Sequence, residues 1–374
     1  MKIAESRTTI GLLILSLVEG LTHFGQVYPD SSQYIATALY FQGRGNISGF
    51  AFKTLLRPII PLLASLLGYV VGIGTAFGII NLIFWCATCI LMFEFTKFIT
   101  QDIRVALIST VLFTTSVPIL FYGASVLTDM GGYFFILLAT YLIFKWDIPK
   151  ASISRILTAA AIVGLGILTR ETVASVLLIV LVWAVLSKGS LPKTILFGAA
   201  SMAIAILCTT ASGTSYWTWF TSQTQFQTTY QHLTLEGRIL TWLQTIYLAF
   251  RPEGVILAVI GVFAAKKIGI LRTFTTMLIG LAGFLILTPG VVDYRYTFIL
   301  FPAILPLAGL GVVEITNYII TRKSISEAIS KKPMVGRLIP VLIILILVGY
   351  YVLETNRIAL RFISLPWNPY ITPD

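Results

Sequence analysis

Histidine, cysteine and the common catalytic signatures are scarce or missing in this chain, and each shortage excludes a kind of site. Two histidines in 374 residues are too few for a histidine-rich zinc centre. Three cysteines define no disulfide framework, and Cys86 and Cys89 lie inside an apolar run, where helix packing is favoured over metal or redox chemistry. The absence of G-x-S-x-G, H-E-x-x-H and Walker A motifs excludes the common hydrolase, zinc-protease and nucleotide-binding sites.

Charged residues are also few, and apolar residues take their place. Charged residues make up 11% of the chain and hydrophobic residues 57%, with a mean hydropathy of +0.92. A soluble core does not need so much apolar sequence. Because stretches of about 20 apolar residues, the length that crosses a bilayer, recur along the chain, we predict an all-α polytopic membrane protein. The net charge of +11 comes from basic residues scattered over connecting loops, so no nucleic-acid partner is expected.

Hydropathy predicts about eleven transmembrane helices. The predicted spans lie near 8–28, 75–98, 104–122, 128–146, 156–170, 172–187, 193–213, 252–265, 273–289, 295–318 and 338–354. The first span is expected to be retained, because Glu19 and His23 follow its apolar run and no cleavage site is evident. The stretch 56–72 is interrupted by prolines and a glycine and predicts an interfacial or re-entrant helix.

The distribution of lysine and arginine predicts the orientation. With the N-terminus in the cytoplasm, 17 basic residues fall on the inner side and nine on the outer side, as the positive-inside rule requires. We therefore expect a multi-pass plasma-membrane protein with one transmembrane module over 1–354 and a short outer tail over 355–374. Its long outer loops are 26–57, with amphipathic or re-entrant helices, and 214–251. No separate soluble domain is predicted.

The basic residues predicted on the outer side are almost all arginine. Eight of the nine are Arg, and only Lys53 is lysine. A guanidinium binds phosphate with a planar fork, whereas an ammonium offers a point charge. This bias indicates phosphate recognition at the outer face, with Arg57, Arg170 and Arg295 as candidates. Ordinary snorkelling at the membrane interface is the alternative.

Two carboxylates at predicted span boundaries are the candidate catalytic groups. Asp30 follows the first span, and Asp129 opens the fourth on the same side of the membrane. Two acids at one membrane face indicate chemistry, although Asp30 could instead cap a helix after Pro29.

Further polar residues lie near these acids in the sequence. Glu19 and His23 share a helix face that points toward Asp30, either lining the site or satisfying each other. Glu171 either pairs with its neighbour Arg170 or orients it.

Aromatic residues mixed with amides fill the loop 214–251. Trp217, Trp219 and Tyr230 are its candidate sugar or acceptor contacts, because sugars present apolar CH faces beside their hydroxyls. Trp and Tyr are also enriched at membrane interfaces, so that alternative stays open.

Several motifs occur in a defined order over residues 1–310. They are Pro29-Asp30-Ser31-x-x-Tyr34, Arg57-Pro58-x-x-Pro61, Leu127-Thr128-Asp129, the run from Gly164 through Thr169-Arg170-Glu171-Thr172, and Arg295-Tyr296 before Pro302. In this order the chain resembles the GT-C superfamily of membrane glycosyltransferases, and within it the protein O-mannosyltransferases and the lipid A aminoarabinose transferase. The large soluble outer domain that is common in the superfamily is not predicted from this sequence.

The resemblance implies a sugar donor linked to a polyprenyl phosphate, such as dolichyl phosphate, and inverting transfer to a hydroxyl at the outer leaflet. It implies that Asp30 is the general base, that Asp129 positions substrate or a cation, and that Arg170 lies near the donor phosphate. Tyr34, Glu171 and Tyr296 would support these groups. No cofactor is required, although Mg²⁺ or Mn²⁺ shared by Asp30 and Asp129 is an alternative. The acceptor could be a protein, a lipid or a glycan.

Two other functions are compatible with such a sequence. A transporter or a flippase for lipid-linked sugars would move its substrate without transfer chemistry, and Glu19 inside the first span favours this alternative. Transporters, however, usually place polar sites near the midplane between internal repeats, whereas here the charges cluster at the outer ends and no repeat is visible. A non-catalytic membrane scaffold would have no reason to place two acids and several arginines on one face.

Overall fold

The chain folds into helices joined by short connections. The computed structural model describes residues 2–47, 54–211, 235–287, 294–322 and 333–363, and within these ranges there are helices but no strands. The α-helices are α1 Lys2–Thr22, α2 Ser31–Phe41, α3 Ile59–Val71, α4 Ile73–Thr100, α5 Ile103–Thr114, α6 Val117–Tyr122, α7 Asp129–Trp146, α8 Ile153–Thr169, α9 Ser175–Leu186, α10 Leu191–Ala211, α11 Leu235–Lys267, α12 Leu271–Leu287, α13 Tyr294–Thr297, α14 Phe301–Thr321 and α15 Pro333–Ile363. Short 3-10 turns cover Ile148–Lys150, Glu171–Ala174 and Phe298–Leu300.

The helices support the predicted membrane character. In the described ranges, five helices are long and apolar enough to cross a bilayer by length and composition. They are Ile73–Thr100, Leu191–Thr210, Leu240–Lys267, Tyr294–Thr321 and Leu338–Ala359. Each of the other predicted spans also coincides with at least one helix. The prediction of a helical membrane protein is therefore supported, while the number of eleven crossings stays a prediction.

Three predicted boundaries differ from the structure. The first helix ends at Thr22, so residues up to 28 form a connection rather than the end of a span. The stretch 104–122 divides into α5 and α6, because Ser116 adopts an extended conformation before a helix that has proline at its second position. The last helix continues to Ile363, so the first part of the predicted tail is helical.

A sharp kink divides α11. Arg251 lies in the left-handed half of backbone space (φ 59°, ψ 154°), and Pro252 follows it without an N–H to donate. The apolar half that follows coincides with the predicted span 252–265. Local backbone chemistry at Arg251 and Pro252 therefore sets where the second half of α11 begins.

The core is built around α14, which packs along α11. Glycines allow the close approach, because a Cβ at Gly261 would collide with the carbonyl oxygen of Leu307, and a Cβ at Gly311 with that of Leu257. Thr245, in the first half of α11, bonds to Thr297, which lies just before α14. Lys267, at the end of α11, pairs with Glu314 in the second half of α14, so the two helices run in the same direction. We call the end that holds Thr297 the site end of the bundle.

The first long loop carries two short helices, as predicted. Helix α3 has 13 residues, which corresponds to about 20 Å and is too short for a hydrocarbon core of about 30 Å. Helix α2 packs against α3, and Gln42 at its end donates to the carbonyl oxygen of Ser65 at 2.7 Å. This hairpin of short helices places Asp30 before α2 and Arg57 before α3.

Candidate active site

Two loops that are distant in sequence are joined by backbone hydrogen bonds at the site end. The Gly25 N–H donates to Ala124 O at 3.0 Å, and the Val126 N–H donates to Gln26 O at 3.0 Å. Tyr28 adds a third link, because its hydroxyl donates to Phe121 O at 2.6 Å. These bonds hold the loop that leads to Asp30 against the loop that leads to Asp129.

A buried amide on α4 fixes the second of these loops. Asn81 is fully buried, and its Nδ2 donates to Ser125 O at 2.7 Å and to Leu127 O at 2.9 Å. Both carbonyls belong to the irregular segment that precedes Asp129. Asn81 therefore determines where α7 begins and where the Asp129 carboxylate lies.

Asn81→Ala should lower the free energy of unfolding by about 1–3 kcal/mol, because it leaves two buried carbonyls without their donor. Thermal unfolding of the detergent-purified protein would measure the loss. Asn356→Ala is the matched control, since the Asn356 amide donates only to Val352 O within its own helix. Equal stability of the two variants would contradict the anchoring role of Asn81.

Asp129 forms a buried ion pair with Arg170. The Arg170 Nη1 lies 2.9 Å from Asp129 Oδ2, and the two side chains are only 3% and 1% exposed. Arg170 also donates to Thr128 Oγ1 at 3.4 Å and lies 5.2 Å from the centre of the Tyr296 ring. The second carboxylate oxygen, Asp129 Oδ1, is buried and has no hydrogen-bond partner among the described residues. The structure therefore commits Arg170 to a carboxylate at the bottom of the site.

Arg57 and Glu171 form a second ion pair beside the first. The Arg57 Nη2 lies 2.5 Å from Glu171 Oε1, and its Nη1 donates to the Tyr34 hydroxyl. The Tyr34 hydroxyl also accepts a hydrogen bond from Thr128 Oγ1 at 3.3 Å. Because Thr128 Oγ1 accepts from Arg170 as well, this hydroxyl connects the two ion pairs. Glu171 thus pairs with an arginine 114 positions away rather than with its sequence neighbour Arg170.

The Arg57–Glu171 pair stays charged at neutral pH. Burial acts to raise the pKa of Glu171, but the charges of Arg57 and Arg170 outweigh it and hold that pKa below its usual value. Burial likewise acts to lower the pKa of Arg57, but Glu171 and Tyr34 raise it. Because the pKa of Glu171 is lowered on folding, the pair stabilises the fold above the pKa of an unfolded glutamate. That contribution is lost as the pH falls through the folded pKa.

Asp30 pairs with Arg295 at the open side of the site. The Arg295 Nη1 lies 3.5 Å from Asp30 Oδ2, and the side chains are 18% and 51% exposed. Asp30 occupies the position before α2, but its side chain makes no capping hydrogen bond to that helix. The capping interpretation is therefore wrong, and the carboxylate of Asp30 points to another partner.

Aromatic side chains surround the arginines. Arg295 lies 5.1 Å from the centre of the Tyr122 ring, whose hydroxyl bonds to that of Tyr294 at 2.6 Å. The Tyr133 hydroxyl donates to the backbone carbonyl of Arg295 at 2.9 Å. These contacts fix the backbone and the guanidinium of Arg295.

The structure brings together most of the predicted site residues. Asp30, Arg57, Asp129, Arg170, Glu171 and Arg295 form what we call the charged cluster. Tyr34 and Tyr296 lie within it, and Tyr296 is in electrostatic reach of all three arginines. His23 bonds to Gln26 at 3.4 Å rather than pairing with Glu19, and neither joins the cluster directly in the described part of the chain. Trp217, Trp219 and Tyr230 lie outside the described residues.

Sequence reasoning missed the neutral residues that hold the cluster. Asn81, Thr128 and Tyr122 link its loops and charges, as described above. Asn81 carries a signal that could have identified it, because an amide inside an apolar span is costly unless it has a partner. Thr128 lies within the Leu127-Thr128-Asp129 motif and Tyr122 lies shortly before it, but the partners of both are too far away in sequence to infer.

The side chains around Asp30 and Asp129 give little support to a cation bound between these two carboxylates. Each carboxylate faces a guanidinium, whose charge repels a divalent ion. Among the described residues, no group of three or more His, Cys, Asp or Glu side chains could hold a metal ion. Asp129 Oδ1, which has no partner within the described ranges, is the oxygen of these two carboxylates that would suit a cation. The cation alternative stays an untested prediction, and no step below depends on it.

The resemblance to GT-C glycosyltransferases stays a prediction from the sequence motifs. The five motifs named above lie at separate places in the sequence, and each contributes at least one side chain to the charged cluster. No known protein family and no curated protein sequence matches the chain.

Proposed function

We propose that this protein transfers a sugar from a polyprenyl-phosphate donor to a hydroxyl acceptor at the outer membrane face. The reaction inverts the configuration at the anomeric carbon, and Asp30 serves as general base. The charged cluster lies at the outer end of the bundle in this proposal, and the N-terminus lies in the cytoplasm.

One observation carries the proposal. Acids and arginines from widely separated motifs converge at a single end of the bundle, with a half-exposed carboxylate above buried ion pairs. A helix bundle needs no such convergence for stability, because buried ion pairs are at best weakly stabilising. Perturbed and interacting charges of this kind are typical of functional sites.

The chemistry needs one base and one anion-binding group. The acceptor O–H bond breaks, and its proton moves to a carboxylate oxygen of Asp30. The acceptor oxygen forms a bond to the anomeric carbon while the bond from that carbon to the phosphate oxygen breaks, and its electron pair stays on the lipid phosphate. Arg295 stabilises the growing phosphate charge, because it is the cluster arginine closest to Asp30.

The two buried ion pairs position these groups. Asp129 and Arg170 form the floor of the site, while Arg57 and Glu171 hold Tyr34 on α2. Asp30 directly precedes α2, so a shift of this helix would move the base. In this proposal Arg57 and Arg170 act on the donor through geometry and long-range charge rather than by direct contact.

Transfer can be tested with the purified protein in lipid vesicles. The donors would be polyprenyl phosphates that carry a radiolabelled sugar, offered with peptide, lipid and glycan acceptors in separate reactions. We expect label to enter one acceptor class with release of free polyprenyl phosphate, and no label in protein-free vesicles. Label that crosses the bilayer while still attached to its lipid would instead establish a flippase and overturn the proposal.

A further inference from the structure

We infer that Asp30 and the donor phosphate compete for Arg295, so that donor binding releases Asp30 to act as a base. This inference rests on the proposed function, because it sets the order of events at the same site. Before the donor arrives, the Asp30 carboxylate occupies the position on Arg295 that the donor phosphate would take.

The charge balance of the cluster is the first reason. Among the described residues, each of its three carboxylates faces an arginine: Asp30 faces Arg295, Asp129 faces Arg170, and Glu171 faces Arg57. A guanidinium that keeps its carboxylate is largely neutralised and attracts an entering phosphate weakly. A phosphate therefore binds best where it can take the place of a carboxylate.

The three ion pairs differ in how easily such an exchange can happen. The Asp129–Arg170 pair is buried and spans 2.9 Å, and the Arg57–Glu171 pair spans 2.5 Å with both side chains mostly covered. The Asp30–Arg295 pair spans 3.5 Å, and its carboxylate is 51% exposed. Breaking a buried pair leaves an uncompensated charge, whereas water can solvate Asp30 when it leaves. Arg295 is thus the arginine that can exchange its partner.

Arg295 itself is held in place while its partner leaves. The Tyr133 hydroxyl bonds to its backbone carbonyl, and the Tyr122 ring lies under its guanidinium. Asp30, in contrast, makes no capping bond to α2, so its side chain can turn without opening the helix. The anion site is therefore preformed, and the carboxylate is the moving part.

The exchange couples the two halves of the reaction. Without donor, the Asp30 carboxylate is engaged with Arg295 and is not available to an acceptor hydroxyl. After transfer, Asp30 carries the acceptor proton and no longer competes, so the lipid phosphate stays on Arg295 until that proton leaves. The recovered carboxylate then displaces the product.

Binding of polyprenyl phosphate, the product without its sugar, tests the exchange directly. Its affinity for the detergent-purified protein can be measured by native mass spectrometry, with unphosphorylated polyprenol as the reference for the lipid tail. Asp30→Asn should lower the Kd for polyprenyl phosphate roughly two- to fivefold, the range that corresponds to the loss of an exposed competing ion pair. Binding of polyprenol should not change.

Asp102→Asn is the matched control, because Asp102 also pairs with an arginine, Arg104, but lines a cavity at the opposite end of the bundle. It should leave the Kd unchanged. An Asp30→Asn variant that binds polyprenyl phosphate equally or less well overturns the exchange, and sugar transfer by the wild-type protein would then leave the proposed function standing. If Asp30→Asn binds polyprenyl phosphate more tightly but the wild-type protein transfers no sugar, the exchange of carboxylate for phosphate on Arg295 stands. The proposed sugar transfer is then rejected.

Discussion

Replacement of Asp30 by asparagine is expected to reduce the rate of sugar transfer by about 10²- to 10⁴-fold, the usual contribution of a general base. Asparagine keeps the size and shape of the side chain but cannot accept the acceptor proton. The reconstituted transfer reaction measures the effect, with donor and acceptor both in excess so that the rate reports the chemical step. A variant with near wild-type turnover would exclude Asp30 as the base.

The structure separates this effect from a loss of folding. Asp30 makes no cap bond to α2, and its carboxylate is half-exposed, so the substitution should cost no more than about 1 kcal/mol of stability. Asp102→Asn again serves as control, because asparagine still caps α5. We expect this control to keep full activity and both variants to unfold near the wild-type temperature.

The combination of slower transfer and tighter binding of lipid phosphate is diagnostic for Asp30. Loss of a residue that merely supports the fold would weaken both properties. Loss of a base that also occupies the anion site should lower kcat while it improves affinity for the product. The same variant therefore distinguishes a catalytic role from a structural one.

The helices could be predicted from sequence because hydropathy acts locally. The positions of α4, α7 and α10 agree with the predicted spans to within a few residues at either end. A helix boundary differs from the predicted span where short-range backbone chemistry interrupts an apolar run, as at Ser116. Hydropathy averages over such breaks and cannot detect them.

The candidate site could be predicted only in part, because the pairing of charged side chains depends on the tertiary structure. Sequence motifs identified Asp30, Asp129 and Arg170 as individual candidates. They did not indicate that Glu171 pairs with Arg57, or that Asp129 would neutralise Arg170, since neither contact follows from helix periodicity. In the proposed function, Arg295 rather than Arg170 is therefore the candidate for direct phosphate contact, because Arg170 is buried against Asp129.

Removal of Asp129 is expected to have the largest effect on stability. Asp129→Leu leaves Arg170 buried without its counter-charge and should lower the free energy of unfolding by about 3–5 kcal/mol. Arg170→Met should have an effect of similar size, because it leaves Asp129 unpaired. Thermal and denaturant unfolding in detergent would measure both. Glu354→Gln, which breaks an exposed pair with Arg357, should cost no more than about 1 kcal/mol.

The double variant Asp129→Leu with Arg170→Met completes a thermodynamic cycle. Two apolar side chains can replace a buried ion pair with little or no loss of stability, so the double variant should recover most of what each single variant loses. If the pair positions the substrate in the transition state, sugar transfer should stay low in this stable protein. Recovery of both stability and transfer would show that Asp129 and Arg170 only support the fold. If both single variants were as stable as the wild-type protein, the buried ion pair between Asp129 and Arg170 would be contradicted.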